Sequence, residues 1–132
     1  MKYRTLGPEF EVSALGLGCM PMAGIGAAMY GQADHRESIA TLERAIELGV
    51  TFFDTANSYV GGTSETMLGV ALKGRREDAI IASKFFNPMG GRPNDSGMSR
   101  LHIKQQIEGS LKRLQTDYID IYYIHHVDHQ TP

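Results

Sequence analysis

The sequence is poor in the features that would commit it to a membrane, a disulfide scaffold or a nucleic acid. It holds one cysteine, Cys19, in 132 residues, so no disulfide can form within the chain. Its formal net charge is -2, which gives no electrostatic reason to expect nucleic acid or an anionic membrane as partner. No apolar run approaches the ~20 residues that a membrane helix needs. The opening residues, Met1-Lys2-Tyr3-Arg4-Thr5-Leu6, lack the apolar core of a signal peptide. There is no internal repeat, low-complexity tract or interdomain linker. These absences lead us to expect one domain in a reducing, cytoplasmic compartment.

What is present is a regular alternation of strand and helix patterns. Residues 2–12 alternate around Gly7-Pro8 and predict a hairpin. Residues 13–18 read as a short strand whose glycines suit close approach by a neighbour or a ligand. Residues 19–33 have no clear period and read as a loop. Asp34 and Glu37 form a capping box for a helix carrying Ile39, Leu42, Ala45 and Ile46, stopped by Gly49. Val50–Phe53 is an apolar run of buried-strand type. Thr63 or Ser64 caps a second helix with Glu65 in its first turn and Met67, Leu68, Ala71 and Leu72 inward. Arg75 and Arg76 lie just past its end, which suits the helix dipole.

Ala79–Ser83 is the next strand. A loop from Phe85 to Met98 follows, rich in glycine and proline. A loop of that length is usually functional or mobile, and we expect it to be the most mobile internal segment without ligand. Ser99 caps a third helix with Ile103, Ile107, Leu111 and Leu114 on one face, and Tyr118–Ile124 is the last strand. The order predicts an α/β fold of right-handed βαβ units around a parallel sheet. An open doubly wound sheet and part of an eight-stranded βα barrel both satisfy it. A complete barrel needs ~250 residues, so this chain supplies about half.

Three successive strands end in ionisable groups. Asp54 closes Val50–Phe53, with Tyr59 in the loop beyond; Lys84 closes Ala79–Ser83; His125 closes Tyr118–Ile124. Taken singly, each has a bland reading as a cap, a packed ring or a solvated charge. In a parallel sheet all four gather at one rim, and few bland explanations cover that conjunction. A tyrosine hydroxyl is a weak acid, with an ordinary pKa of ~10. A neighbouring ammonium stabilises its phenolate, and a carboxylate holds the ammonium in place. A histidine can hydrogen-bond and orient a carbonyl oxygen. No side chain donates hydride, so a reduced nicotinamide must supply it.

These stretches resemble the aldo-keto reductase superfamily. The resemblance is carried by Gly16-Leu17-Gly18, Phe53-Asp54-Thr55-Ala56-Asn57-Ser58-Tyr59, the segment from Gly62 to Gly69, Ala82-Ser83-Lys84 and the segment from Ser110 to Asp120. Residues 93–100 look like the branch that contains aryl-alcohol-dehydrogenase-like enzymes and potassium-channel β-subunits. The resemblance implies a TIM-type (β/α)₈ barrel closed at its base by the hairpin. Residues 1–132 would form its N-terminal half: the hairpin, four strands and three helices. It implies reduction of aldehydes or ketones by NADPH, less often NADH. Tyr59 would be the proton donor, Lys84 and Asp54 its tuning pair, and His125 the group that orients the carbonyl. Cys19 and Met20 would meet the cofactor, and Asp54 the nicotinamide ribose. The family's remaining cofactor contacts come from later strands that this chain does not span.

A second reading is a catalytically incompetent half-barrel or a β-subunit-like regulatory module. His125 favours catalysis, because channel β-subunits carry asparagine at the matching position. An open-sheet nucleotide binder is disfavoured, since residues 18–24 lack Gly-x-Gly-x-x-Gly and contain Pro21. We expect no metal at His125, His126, Asp128 and His129, because adjacent strand residues point to opposite faces. We expect Leu15, Phe52 and Ile81 to lie on a face that lacks its opposing half. The chain should therefore self-associate or require a C-terminal half.

Overall fold

The computed structural model describes residues 1–24, 34–129 and 131. Most of the loop expected at 19–33 lies outside the described residues. Strands β1 (Tyr3–Leu6) and β2 (Phe10–Ser13) form an antiparallel hairpin that turns at Gly7, whose φ of 65° suits a residue without Cβ. After it come β3 (Gly16–Gly18), α1 (His35–Glu47), β4 (Phe52–Asp54), α2 (Thr63–Ala71), β5 (Ile80–Phe85), α3 (Arg100–Leu114) and β6 (Ile121–Ile124). Among the described residues β3 to β6 form one parallel sheet in chain order. That order contains no reversal, so the sheet has no doubly wound switch point and follows the barrel arrangement. No helix among the described residues is long and apolar enough to cross a membrane.

Register divides the sheet into two faces. Leu17, Phe53 and Ile81 are paired and share the helix side. Phe53 and Ile81 are fully buried there with Leu42, Met67, Leu68, Leu72 and Leu114. The expectation for Ile81 is therefore corrected: it packs under the helices, while Phe52 is half-buried on the other face and Leu15, just before β3, is exposed. Near-continuous apolar runs in parallel strands do not reveal which residue faces which layer.

The N-cap residues hold as read at two helices, although the box expected between Asp34 and Glu37 is not formed. Asp34 accepts a hydrogen bond from Arg36 N at 2.7 Å, and Ser99 accepts one from His102 N at 3.2 Å. At α2 the cap is instead Gly62, at φ 95°, and Ser64 is free to donate to the Cys19 carbonyl at 2.8 Å. Strand ends also shift for physical reasons. Val50 N closes the end of α1 on Ala45 O, which delays β4. Strand β5 runs through Lys84 because Ser83, Lys84 and Phe85 pair with β6. Strand β6 starts late because Asp120 accepts from Ile81 N at 2.8 Å and from Arg76 at 2.6 Å. Arg76 thus ties the base of the sheet rather than answering a helix dipole. The long loop is closed at its base by Gly97 N on Phe86 O at 2.9 Å, and Asp95 inside it accepts from Arg92 N at 3.0 Å.

Glu65 is fully buried yet satisfied at both oxygens, by Ser83 Oγ at 2.5 Å and Arg113 Nε at 2.7 Å. It joins α2, β5 and α3. Glu65→Ala leaves Arg113 without its counter-ion and Ser83 without its acceptor. We expect a loss of about 3–5 kcal/mol in urea unfolding. A loss under about 1 kcal/mol, the worth of a surface pair, would contradict this role.

His102 is fully buried on α3, and both ring nitrogens lack a hydrogen-bond partner among the described residues. Burial lowers its proton affinity below the ordinary histidine value, and the charge of Asp95 opposes that only partly. A depressed histidine stabilises the fold fully above its unfolded pKa of ~6.5, and this is lost as pH falls through the folded value. Melting temperature should therefore fall on acidification below about pH 6.5, and less steeply in H102Q. His125 carries the same sign, so the variant's slope should be shallower rather than flat. Parallel slopes for the two proteins would refute the assignment.

Candidate active site

Asp54 ends β4, and Lys84 is the penultimate residue of β5. Asp54 pairs with Ala82, two residues before Lys84, so both side chains leave the sheet on the face away from the helices. The chain beyond β4 keeps pairing with β5: Thr55 N donates to Ala82 O at 2.8 Å and Asn57 N to Lys84 O at 3.1 Å. This continuation brings Tyr59 back over Lys84. His125 N donates to Phe85 O at 2.8 Å, which extends β6 by one residue and sets the imidazole on the same rim.

The structure brings all four predicted residues together. Lys84 Nζ donates to Asp54 Oδ1 at 2.5 Å, to the Thr55 carbonyl at 2.9 Å and to the Tyr59 hydroxyl at 3.1 Å. The His125 ring meets Tyr59 edge-on, with centroids 5.6 Å apart. Asn87 Nδ2 lies 3.1 Å from Ser58 Oγ and 3.4 Å from His125 Nδ1. An open groove of about 360 Å³ lies beside the imidazole, lined by Met98, Ile124, His126, Val127 and Asp128.

Burial moves His125 and Cys19 in opposite directions, and the neighbouring charges partly reinforce and partly oppose it. Burial, then the Lys84 and His126 charges, lower the proton affinity of His125, and Asp54 works against them. Its imidazole is neutral at pH 7. The Cys19 thiol is pushed up to about 12 by burial and by the Asp54 charge, with Lys84 opposing. It stays protonated and is no nucleophile. Cys19 is fully buried in the core, its amide bonded to Asp54 O, whereas Met20 is half-buried at the start of the short turn Met20–Ala23.

His125 is the last residue that pairs with β5 and His126 lies beyond it, so strand alternation no longer separates their rings. Their rings stack with centroids 4.9 Å apart and 6° between planes. Among the described residues no group of three or more His, Cys, Asp or Glu could hold a metal ion.

Three contributors escaped the sequence reading. The Thr55 carbonyl is a backbone group, invisible in residue types. Ser58 and Asn87 sit in loops with no periodicity to place them. The backbone flanking the site is strained as well: Val60, just after Tyr59, has φ 50°, and Phe86, just before Asn87, has φ 139°. A β-branched or bulky residue in that region is an outlier that the surrounding structure must enforce.

Comparison with known proteins finds relatives over the whole of this chain. The chain is 39% identical over 137 residues to a probable voltage-gated potassium channel subunit beta from Oryza sativa subsp. japonica, covering all of this chain and 39% of that protein. It is 38% identical over 135 residues to the aldo-keto reductase YhdN of Bacillus subtilis, again covering all of this chain and 40% of the relative. The solved holo form of the aldo-keto reductase AKR11C1 from Bacillus halodurans superposes with a TM-score of 0.76 at 38% identity, over 92% of this chain and 39% of that one. The chain thus spans about two fifths of the length of the relatives it matches. Residues 14–132 match the pattern of the Aldo/keto reductase family, and the chain belongs to that family.

Proposed function

We propose that the protein carrying this chain is an NADPH-dependent reductase of aldehydes or ketones, with NADH the lesser donor. In this reading residues 1–132 form the N-terminal half of a barrel. The observation that carries it is one ammonium, Lys84, bonded at once to the Asp54 carboxylate and the Tyr59 hydroxyl. A reduced nicotinamide, when bound, supplies the hydride. The residues present fit its ribose end. Asp54 is partly open to solvent and offers a carboxylate acceptor to ribose hydroxyls. Beside it, a Cβ built on Gly18 would meet no heavy atom within 4 Å, so the backbone there can be approached closely. Met20, half-buried at the start of the turn after β3, and Cys19, whose amide bonds Asp54 O, are the further residues assigned to the cofactor in this reading.

The chain's own groups then divide the work. His125 holds the substrate oxygen by a hydrogen bond and turns the carbonyl carbon towards the Asp54 side of the rim. Tyr59 gives its proton to that oxygen as the alcohol forms. Lys84 stabilises the phenolate left behind, and Asp54 keeps Lys84 in place. Tyr59→Phe removes the proton donor and keeps the ring that packs against His125. We expect turnover to fall by ~10²–10⁴-fold, the usual range for a general acid. The NADPH affinity, read by cofactor fluorescence, should stay essentially unchanged. Turnover above about a tenth of wild type, with chemistry rate-limiting, would contradict the assignment.

A regulatory module is the second reading, favoured by the channel-subunit name of the Oryza sativa relative. It would show as tight NADPH binding with no turnover of any carbonyl. The exposed Leu15, Ile124 and Val127, at 67%, 48% and 75%, support a further requirement for a second copy or the rest of a barrel. Leaving several such side chains wet forfeits ~1.5–3 kcal/mol each. Sedimentation of the 132-residue chain at micromolar concentration should show self-association. A stable monomer would refute that requirement.

A further inference from the structure

We propose that Asn87 is a positioning residue that fixes the tautomer of His125, so that the imidazole presents Nε2–H to the substrate oxygen. The inference rests on the reductase reading for its consequence, though not for its geometry. An amide nitrogen carries two hydrogens. Asn87 Nδ2 has two acceptors within reach, Ser58 Oγ at 3.1 Å and His125 Nδ1 at 3.4 Å. A ring nitrogen that accepts a hydrogen bond carries no proton. In a neutral imidazole the proton is then on the other nitrogen. Nε2 becomes the donor, as a group that must hold a carbonyl oxygen requires.

The surroundings make this a built contact rather than a loop amide brushing a ring. Asn87 follows Phe86, whose φ of 139° is enforced where Gly97 N closes the loop on Phe86 O. His125 is held on other sides by the stacked His126 ring and the edge of Tyr59. His126 is steadied in turn by Phe86, whose ring it meets edge-on at 5.4 Å. The bond to Ser58 also reaches the residue before Tyr59, so one amide links the loop of the proton donor to the group that orients the substrate. Lys84, His126, Asp54 and Tyr59 are titratable groups near the ring, and Asp128 lines the same groove. The contact that Nδ1 makes with a side chain here is the one from Asn87.

Long-range ¹H–¹⁵N correlation spectra of the His125 ring near neutral pH, with steady-state kinetics, test this. The wild-type ring should carry its proton on Nε2; a proton on Nδ1 overturns the proposal without any variant. Asn87→Asp keeps the size and replaces the donor with a carboxylate acceptor. It should draw the proton to Nδ1 and raise the ring's proton affinity. Turnover should drop by about tenfold or more with NADPH affinity unchanged. Asn87→Ala should give mixed tautomers and a smaller loss, and it serves if the aspartate variant folds poorly. An active enzyme whose tautomer ignores both variants overturns the inference alone. A tautomer that follows Asn87 in a protein reducing no carbonyl upholds the placement of the ring and sinks the reductase reading instead.

Discussion

A lysine ammonium has three hydrogens, and at Lys84 all three are committed: one to Asp54, one to the Thr55 carbonyl and one to the Tyr59 hydroxyl. The side chain is only 15% exposed, so few waters could replace a lost partner. A charge this far out of water must be paired and fully bonded. That constraint fixes the geometry of the rim. Asp54 must lie beside Lys84, which the β4–β5 register ensures. The Thr55 carbonyl must point inward, which the Thr55 N bond to Ala82 O ensures. The third hydrogen then points to where Tyr59 stands. The value of the Asp54–Lys84 pair lies in this placement more than in stability, since desolvation offsets much of a buried pair's attraction.

Strand β5 serves two layers by alternation. Lys84 faces the rim, and its neighbour Ser83 faces the helices and donates to Glu65. Glu65 in turn holds Arg113 of α3, and the Arg113 side chain lies over Gly62, where a Cβ would meet Cδ at 2.5 Å. Gly62 ends the turn that begins at Tyr59. The proton donor's loop is therefore braced from behind by a chain of contacts through β5, α2 and α3. The close approach of α2 to the end of α3 is tighter still. A Cβ on Gly69 would meet the Leu114 carbonyl oxygen at 2.6 Å. Glycine at position 69 is a packing requirement, whereas at position 62 the φ of 95° already demands a residue without Cβ.

Much of this was legible because it depends on patterns that sequence carries. Capping residues such as Asp34 and Ser99 have a local mechanism, and helical spacing put Met67, Leu68, Ala71 and Leu72 inward, where all four are buried. Strand ends located Asp54, Lys84 and His125 because a parallel sheet sends every C-terminal end to one rim. What stayed hidden depends on long-range partners. Nothing near Glu65 in sequence shows that Ser83 and Arg113 will meet it. Nothing near Asp120 shows that its carboxylate will cap Ile81 and Arg76 and so delay β6. The side of the sheet that Ile81 occupies was unreadable for a different reason. A strand apolar on both faces has no alternation to reveal its register.

One charge also decides which group can be the acid. Lys84 stands near both the Tyr59 hydroxyl, to which it donates at 3.1 Å, and the His125 ring. At the hydroxyl it would hold, through that hydrogen bond, the phenolate oxygen that the proposed reaction leaves behind. At His125 it adds to burial and to His126 in keeping the ring neutral, against the pull of Asp54. A neutral imidazole that gave up its remaining proton would become an anion, so in the proposed reaction His125 can hold the oxygen but cannot protonate it. In that proposal the proton would come from the hydroxyl that Lys84 contacts, which would leave the acid's role to Tyr59 and the hydrogen-bond donor's to His125. The second role is useful only if the remaining ring proton faces the substrate, which is the condition that the bond from Asn87 to Nδ1 meets.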